Sequence, residues 1–122
     1  GYIVAADDHV GHGKTAVENG TWGDWGDKGC HTMMEDEHTL TLIAKEKYPG
    51  LPYFLFGHSM GSMIARDYAA KYGSELSGVT ICGTCGVFRG ASETAQKLSE
   101  AIAQGRGKES DPSFTADLLG WM

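Results

Sequence analysis

An α/β fold, a parallel sheet flanked by helices, is what this 122-residue sequence predicts. Short apolar runs suited to buried strands alternate with longer segments in which apolar residues recur at helical spacing. Strands and helices alternating at these lengths imply parallel pairing with right-handed crossovers. At one strand-to-helix junction stands Gly57-His58-Ser59-Met60-Gly61, a Gly-x-Ser-x-Gly pentapeptide in the context where it forms a sharp turn.

Taken in order, Tyr2-Ile3-Val4-Ala5-Ala6 reads as a buried parallel strand. Residues 7 to 30 read as loop, because Gly at 11, 13, 20, 23, 26 and 29 interrupts any periodicity. Met33, Leu40, Ile43, Ala44 and Tyr48 then recur as one face of a helix over about 32 to 48, stopped by Pro49-Gly50. Tyr53-Phe54-Leu55-Phe56 is the second strand, and Met60, Ile64, Tyr68 and Tyr72 mark a helix over about 60 to 72 that ends at Gly73. Gly78-Val79-Thr80-Ile81-Cys82 is the third strand. Ser92 is placed to cap a helix whose Ala95, Leu98 and Ile102 share a face and which Gly105-Arg106-Gly107 ends. Asp111-Pro112 opens another short helix carrying Phe114, Leu118 and Trp121.

The pentapeptide has a steric logic. A serine at the apex of so tight a turn adopts a strained backbone, and side chains two residues away on either side would collide as strand and helix converge. Gly57 and Gly61 are expected to remove them. The turn lifts the Ser59 hydroxyl clear of the sheet edge. The amide of Met60, at the positive end of the next helix, is then aimed at a developing oxyanion.

Charge and composition exclude some classes of partner. A net charge of -6 and an isoelectric point near 5.2 argue against nucleic acid and against docking on anionic membranes, since no basic patch exists to release counterions. No apolar run approaches the roughly 20 residues of a membrane span. Three cysteines, an odd number without the density of a disulfide scaffold, fit a reducing compartment, and a cytoplasmic location is the expectation. Oligomeric state is left open.

Two stretches together carry a resemblance. Tyr2-Ile3-Val4-Ala5-Ala6 runs into Asp7-Asp8-His9-Val10-Gly11-His12-Gly13-Lys14-Thr15, and Tyr48-Pro49-Gly50-Leu51-Pro52 leads to Gly57-His58-Ser59-Met60-Gly61-Ser62. In this order they resemble the monoacylglycerol lipase and lysophospholipase branch of the α/β-hydrolase superfamily, the serine aminopeptidase S33 type, over residues 1 to about 90. The resemblance implies a partial α/β-hydrolase fold with the start of a helical cap: residues 1–91 as the central part of the core including the nucleophile elbow, and residues 92–122 as the beginning of the lid. It implies Ser59 as nucleophile, Met60 as donor of one oxyanion-hole amide, Gly57, His58 and Gly61 as support of the elbow, and Asp8, His9, Gly11, His12 and Gly13 as the loop beside the active site. It also implies a small lipid or ester substrate, no cofactor and no metal, with transient contact of the cap with a membrane or micelle surface.

The same resemblance exposes what the sequence lacks. The triad of these hydrolases runs Ser, then Asp or Glu, then His along the chain. All five histidines, His9, His12, His31, His38 and His58, precede Ser59, and the acids after it, such as Asp67, Asp111 and Asp117, fall in a helix face or in the cap segment. The base, the acid and the second oxyanion donor are therefore expected outside residues 1–122, as is the strand that would lie between residues 2–6 and 53–57. The expectation is an internal fragment of a longer ester hydrolase, inactive and poorly folded when isolated.

Other readings compete. A non-catalytic remnant would keep the elbow only as fold, and related elbows serve peptidases and thioesterases. Gly13-Lys14-Thr15 fails as a phosphate loop because position 8 is Asp8, not Gly. Gly11-x-Gly13-x-x-Ala16 matches a loose dinucleotide fingerprint, but its helix is cut short at Asn19-Gly20. His9 with His12, and Cys82 with Cys85, have metal-ligand spacing but no second pair, so structural roles are expected. Asp8, His9 and His12 are expected to bond to backbone and fix their loop, and His58 is not read as the base of Ser59. Trp22 and Trp25, set among Gly23, Asp24, Gly26 and Asp27, read as an ordered surface loop, with a calcium site there as a remote alternative.

Overall fold

The structure is a computed structural model that describes residues 1–86, 90–109 and 111–113. It divides into two compact units, Gly1–Thr84 and Cys85–Met122. In the first, α1 (Gly13–Asn19) and α2 (Cys30–Lys47) precede β1 (Phe54–His58), α3 (Met60–Tyr72), a 3-10 turn (Gly73–Glu75) and β2 (Gly78–Cys82). The second contains α4 (Ala91–Ala103). No helix among the described residues is long and apolar enough to cross a membrane.

β1 and β2 pair in parallel, with Phe54 beside Gly78 and His58 beside Cys82. The crossover between them is α3, which packs on both strands and on α2. Strand alternation decides the faces: Leu55 and Gly57 turn inward, whereas Phe54 and Phe56 stay exposed. The core beside α3 is Met33, Met34, Ile64 and Tyr68, with Val10, Leu55, Met60, Tyr72 and Leu76 against it. Burying a side chain of this size contributes roughly 1.5–3 kcal/mol relative to exposure. Polar groups are carried into this core only with partners. Tyr68 donates to Thr41 Oγ1 at 3.0 Å, and Thr41 donates to the Glu37 carbonyl at 2.9 Å.

A second set of contacts staples α2 to α3 and the 3-10 turn. The His38 ring stacks on Tyr72 at 3.6 Å between centroids, and its Nε2 lies 3.1 Å from Glu75 Oε1. Lys45 Nζ also reaches Glu75, 3.7 Å from Oε2. Glu35 receives Lys71 and, at 2.9 Å, the Tyr72 hydroxyl; these two hydrogen bonds hold its carboxyl below the usual carboxylate range.

Four expectations need correction. Tyr2–Ala6 is not a strand: no described strand lies beside it to exchange backbone hydrogen bonds, and Tyr2 is 96% exposed. Residues 7–30 are not all loop, because the glycine-free run Lys14–Asn19 completes α1, which Gly20 ends in a left-handed conformation at φ 66°. The buried face of α2 is Met33, Met34 and Thr41, not the face through Ile43, which is 55% exposed; the helix turns toward Tyr68 and Tyr72 and presents Thr41 and His38 there. α4 is preceded by Gly90, with no side-chain cap, so Ser92 lies inside its first turn.

α4 closes as its sequence suggests. Gly105 has φ 77°, and the Arg106 amide returns to the Ala101 carbonyl at 2.9 Å. Asp111 accepts the Ser113 amide at 3.0 Å, the pattern of a helix start, while Phe114, Asp117, Leu118 and Trp121 lie outside the described residues.

Candidate active site

The pentapeptide occupies the turn between β1 and α3. Ser59 has φ 53° and ψ -118°, the positive-φ residue other than glycine among those described. Such a conformation costs on the order of 1–3 kcal/mol and persists only where the surroundings enforce it. Its amide donates to the Cys82 carbonyl at the end of β2, at 3.0 Å. Its carbonyl accepts the Ser62 amide at 3.0 Å and the Ser62 hydroxyl at 2.5 Å. Ser59 stands at the N-cap of α3, where a serine ordinarily bonds the first turn, yet its side chain makes no capping bond and the residue is exposed. The hydroxyl is thereby left for other chemistry.

Gly57 is what lets strand and helix meet. A Cβ there would lie 2.2 Å from the Gly61 carbonyl oxygen and 2.8 Å from the Ala65 Cβ. The matching expectation for Gly61 is corrected: a Cβ at that position has nothing within 4 Å, so its part in the close approach is its backbone. The His58 ring lies over Gly83, where an added Cβ would be 3.4 Å from Nε2. Met60 is partly buried against the core, and its amide begins α3.

The Asp8–Gly13 loop is ordered by its own contacts. His12 Nδ1 bonds the Val10 carbonyl at 3.0 Å, and its ring approaches Trp22 and Trp25 at 6.0 and 6.5 Å. The Trp loop bonds back through the Gly23 amide to the buried Gly11, at 2.8 Å. The Asp8 carboxylate occupies the space a side chain at Gly13 would need, 1.9 Å from that Cβ position.

His9 departs from its expected backbone bond. Its Nδ1 is inaccessible and makes no hydrogen bond; it stands 3.5 Å from Glu37 Oε1. Asp7, His9 and Glu37 bring one donor atom each within 4.8 Å of one another. Among the described residues this group, rather than His9 with His12 or the Trp22–Asp27 loop, has the composition to hold a cation. A proton satisfies the same arrangement. Burial, and then the charge and hydrogen bond of Asp7, push the Glu37 carboxyl up to about 7. Nothing in the local sequence marks Glu37, because it joins this loop only through the packing of α2.

The raised acid has a signed consequence. Between about 4.5 and about 7 the folded state binds the Glu37 proton more tightly than the unfolded state, so its contribution to stability declines as pH rises through that window. Glu37→Gln removes the ionisation. The difference in melting temperature between variant and wild type is expected to grow in favour of the variant from pH 4.5 to pH 8; a difference independent of pH would contradict this.

The other histidines have their own partners: His31 lies 3.7 Å from Asp67, and His38 bonds Glu75. Asp111 is held below the usual carboxylate range, first by Ser113 and then by Arg106.

Residues 1–110 match the profile of the family described as serine aminopeptidase, S33. The human monoglyceride lipase is 33% identical over 99 residues, covering 81% of this chain and 31% of that protein. A monoacylglycerol lipase of Mycolicibacterium smegmatis is 36% identical over 88 residues, 68% of this chain and 28% of that one. The chain thus spans about a third of the length of these relatives. A crystal structure of a highly thermostable carboxyl esterase from Bacillus coagulans, in complex with glycerol, superposes with a TM-score of 0.87 at 61% identity, over 94% of this chain and 37% of that one.

Proposed function

This chain belongs to the serine aminopeptidase S33 family of α/β-hydrolases, and on that premise we propose that the whole protein is a serine hydrolase of carboxylic esters, of monoacylglycerol or lysophospholipid type. The observation that carries the proposal is Ser59, strained at a strand-to-helix turn with its hydroxyl uncommitted to capping. The names of the related proteins, monoglyceride lipases and a carboxyl esterase, support the ester over the peptide bond.

In the proposed reaction Ser59 Oγ attacks the ester carbonyl as its proton passes to a base. Charge collects on the former carbonyl oxygen, facing the Met60 amide at the start of α3. Collapse of this tetrahedral state expels the alcohol with a proton, and water then cleaves the acyl-enzyme to the acid and free Ser59. The base and its acid are proposed to come from residues beyond this sequence, because no histidine follows Ser59 within it. No cofactor takes part. Glycerol-sized leaving groups fit the proposal, as does transient contact of the cap segment with a lipid surface.

A substrate panel tests the class. The whole protein is expected to hydrolyse monoacylglycerol or lysophospholipid at least about a hundredfold faster, by kcat/KM, than an aminoacyl amide, a preference worth about 2.7 kcal/mol. Preferred cleavage of the amide would favour a peptidase. A folded whole protein inert to all three would favour a non-catalytic remnant.

A further inference from the structure

We infer that Ser62 is a positioning residue for the oxyanion-binding amide, acting through the carbonyl of Ser59; the inference rests on the reading of Ser59 as nucleophile and Met60 as amide donor. Ser62 is a polar residue with no exposed surface, among the buried residues of α3 with Ile64, Ala65 and Tyr68. A hydroxyl so buried needs a partner, and it takes the Ser59 carbonyl oxygen at 2.5 Å.

That oxygen also accepts the Ser62 amide at 3.0 Å. The amide contact is one that any residue at position 62 other than proline supplies as the helix begins. The hydroxyl contact belongs to the side chain at 62 alone.

The Ser59 carbonyl and the Met60 amide are the two ends of one planar, trans peptide group, and they point in opposite directions. Gripping the oxygen from inside the fold therefore holds the Met60 N–H outward. Rotation of this peptide about its flanking bonds would carry the oxygen away from Ser62 and the N–H away from the oxyanion together. The preceding peptide is fixed separately, by the Ser59 amide on Cys82 at 3.0 Å. The two peptide planes that meet at the Ser59 Cα are thus pinned by different elements, one by β2 and one by Ser62. This is how a residue other than glycine is kept at φ 53°. An amide donor held in place before the reaction stabilises the developing charge without reorganising. Ser62 reaches neither substrate nor the reacting atoms, so its effect passes wholly through the peptide it holds.

Steady-state kinetics of ester hydrolysis by the whole protein test the assignment. Ser62→Ala is expected to lower kcat about tenfold with KM changed by less than about twofold, because the donor acts on the tetrahedral state. A trifluoromethyl ketone analogue of the substrate, which forms the same oxyanion, should lose affinity by a similar factor. Ser62→Cys fills nearly the same space with a weak donor and should shift both quantities in the same direction, which keeps the test if the alanine variant does not fold. Ile64→Val, a core change two residues on, should lower the melting temperature while leaving kcat unchanged. Wild-type kcat and inhibitor affinity in both Ser62 variants, or an equal loss of kcat in Ile64→Val, would overturn the inference. A fluorophosphonate probe separates the levels: an unlabelled Ser59 in the folded wild type would overturn the nucleophile reading, whereas a labelled wild type with unaffected Ser62 variants overturns only the role of Ser62.

Discussion

Ser59→Ala is expected to reduce ester turnover by the whole protein about a million-fold, because the proposed reaction has no route that bypasses the seryl oxygen. The fold should survive the change. The Ser59 hydroxyl makes no capping bond, and the hydrogen bonds that fix the turn run through the backbone and Ser62, all of which alanine leaves in place. Ser59→Gly should be equally inactive yet melt above the alanine variant, by about 1 kcal/mol in stability, since glycine alone adopts φ 53° without steric cost. Turnover and thermal melts of the two variants check both halves. An alanine variant with more than a few per cent of wild-type turnover would mean that another nucleophile does the work.

Gly57→Ala is expected to destabilise the protein by about 3 kcal/mol or more and to abolish activity with it. Its new methyl would meet the Gly61 carbonyl oxygen at 2.2 Å and the Ala65 Cβ at 2.8 Å, both parts of the α3 backbone or its first side-chain atom rather than the end of a flexible chain. β1 and α3 would have to separate, and Ser59, suspended between them, would move. Gly61→Ala provides the contrast. A Cβ there meets nothing within 4 Å, and alanine favours a helix over glycine by up to about 1 kcal/mol, so this variant should melt no lower than the wild type. Calorimetric melts of the two variants decide it; equal melting temperatures would contradict the close approach.

The elements that carry the turn were readable because their signals are local. Phe54–His58, Met60–Tyr72 and Gly78–Cys82 are set by apolar spacing and by Gly73, all within reach of a few residues. Tyr2–Ala6 carries an equally apolar run, but a parallel strand exists only through a neighbour, and neighbours are not written in a local pattern. The face of α2 is not legible for a related reason: Leu42 and Ile43 are more hydrophobic than Thr41 and His38, yet Tyr68 and Tyr72 on α3 offer ring and hydroxyl partners that draw the polar residues inward. For α1 the signal was present and outweighed, since the glycines around Lys14–Asn19 delimit the helix instead of preventing it.

At the site, the strained turn at Ser59 and the crowding at Gly57 are legible in five residues, because both follow from one tight strand-to-helix junction. Ser62 is not, although its spacing of three from Ser59 is the distance at which a first-turn hydroxyl meets the carbonyl before it. Glu37 was still less visible, as its approach to Asp7 and His9 depends on how α2 lies against the loop. The profile match over residues 1–110 turns the resemblance into a family relationship.

Mass-spectrometric mapping of a fluorophosphonate adduct on the folded whole protein tests the proposed role of Ser59 as nucleophile most directly. The expected result is a single adduct on the peptide containing Ser59, absent after Ser59→Ala. An adduct on another residue, or none on a protein that still hydrolyses esters, would contradict it.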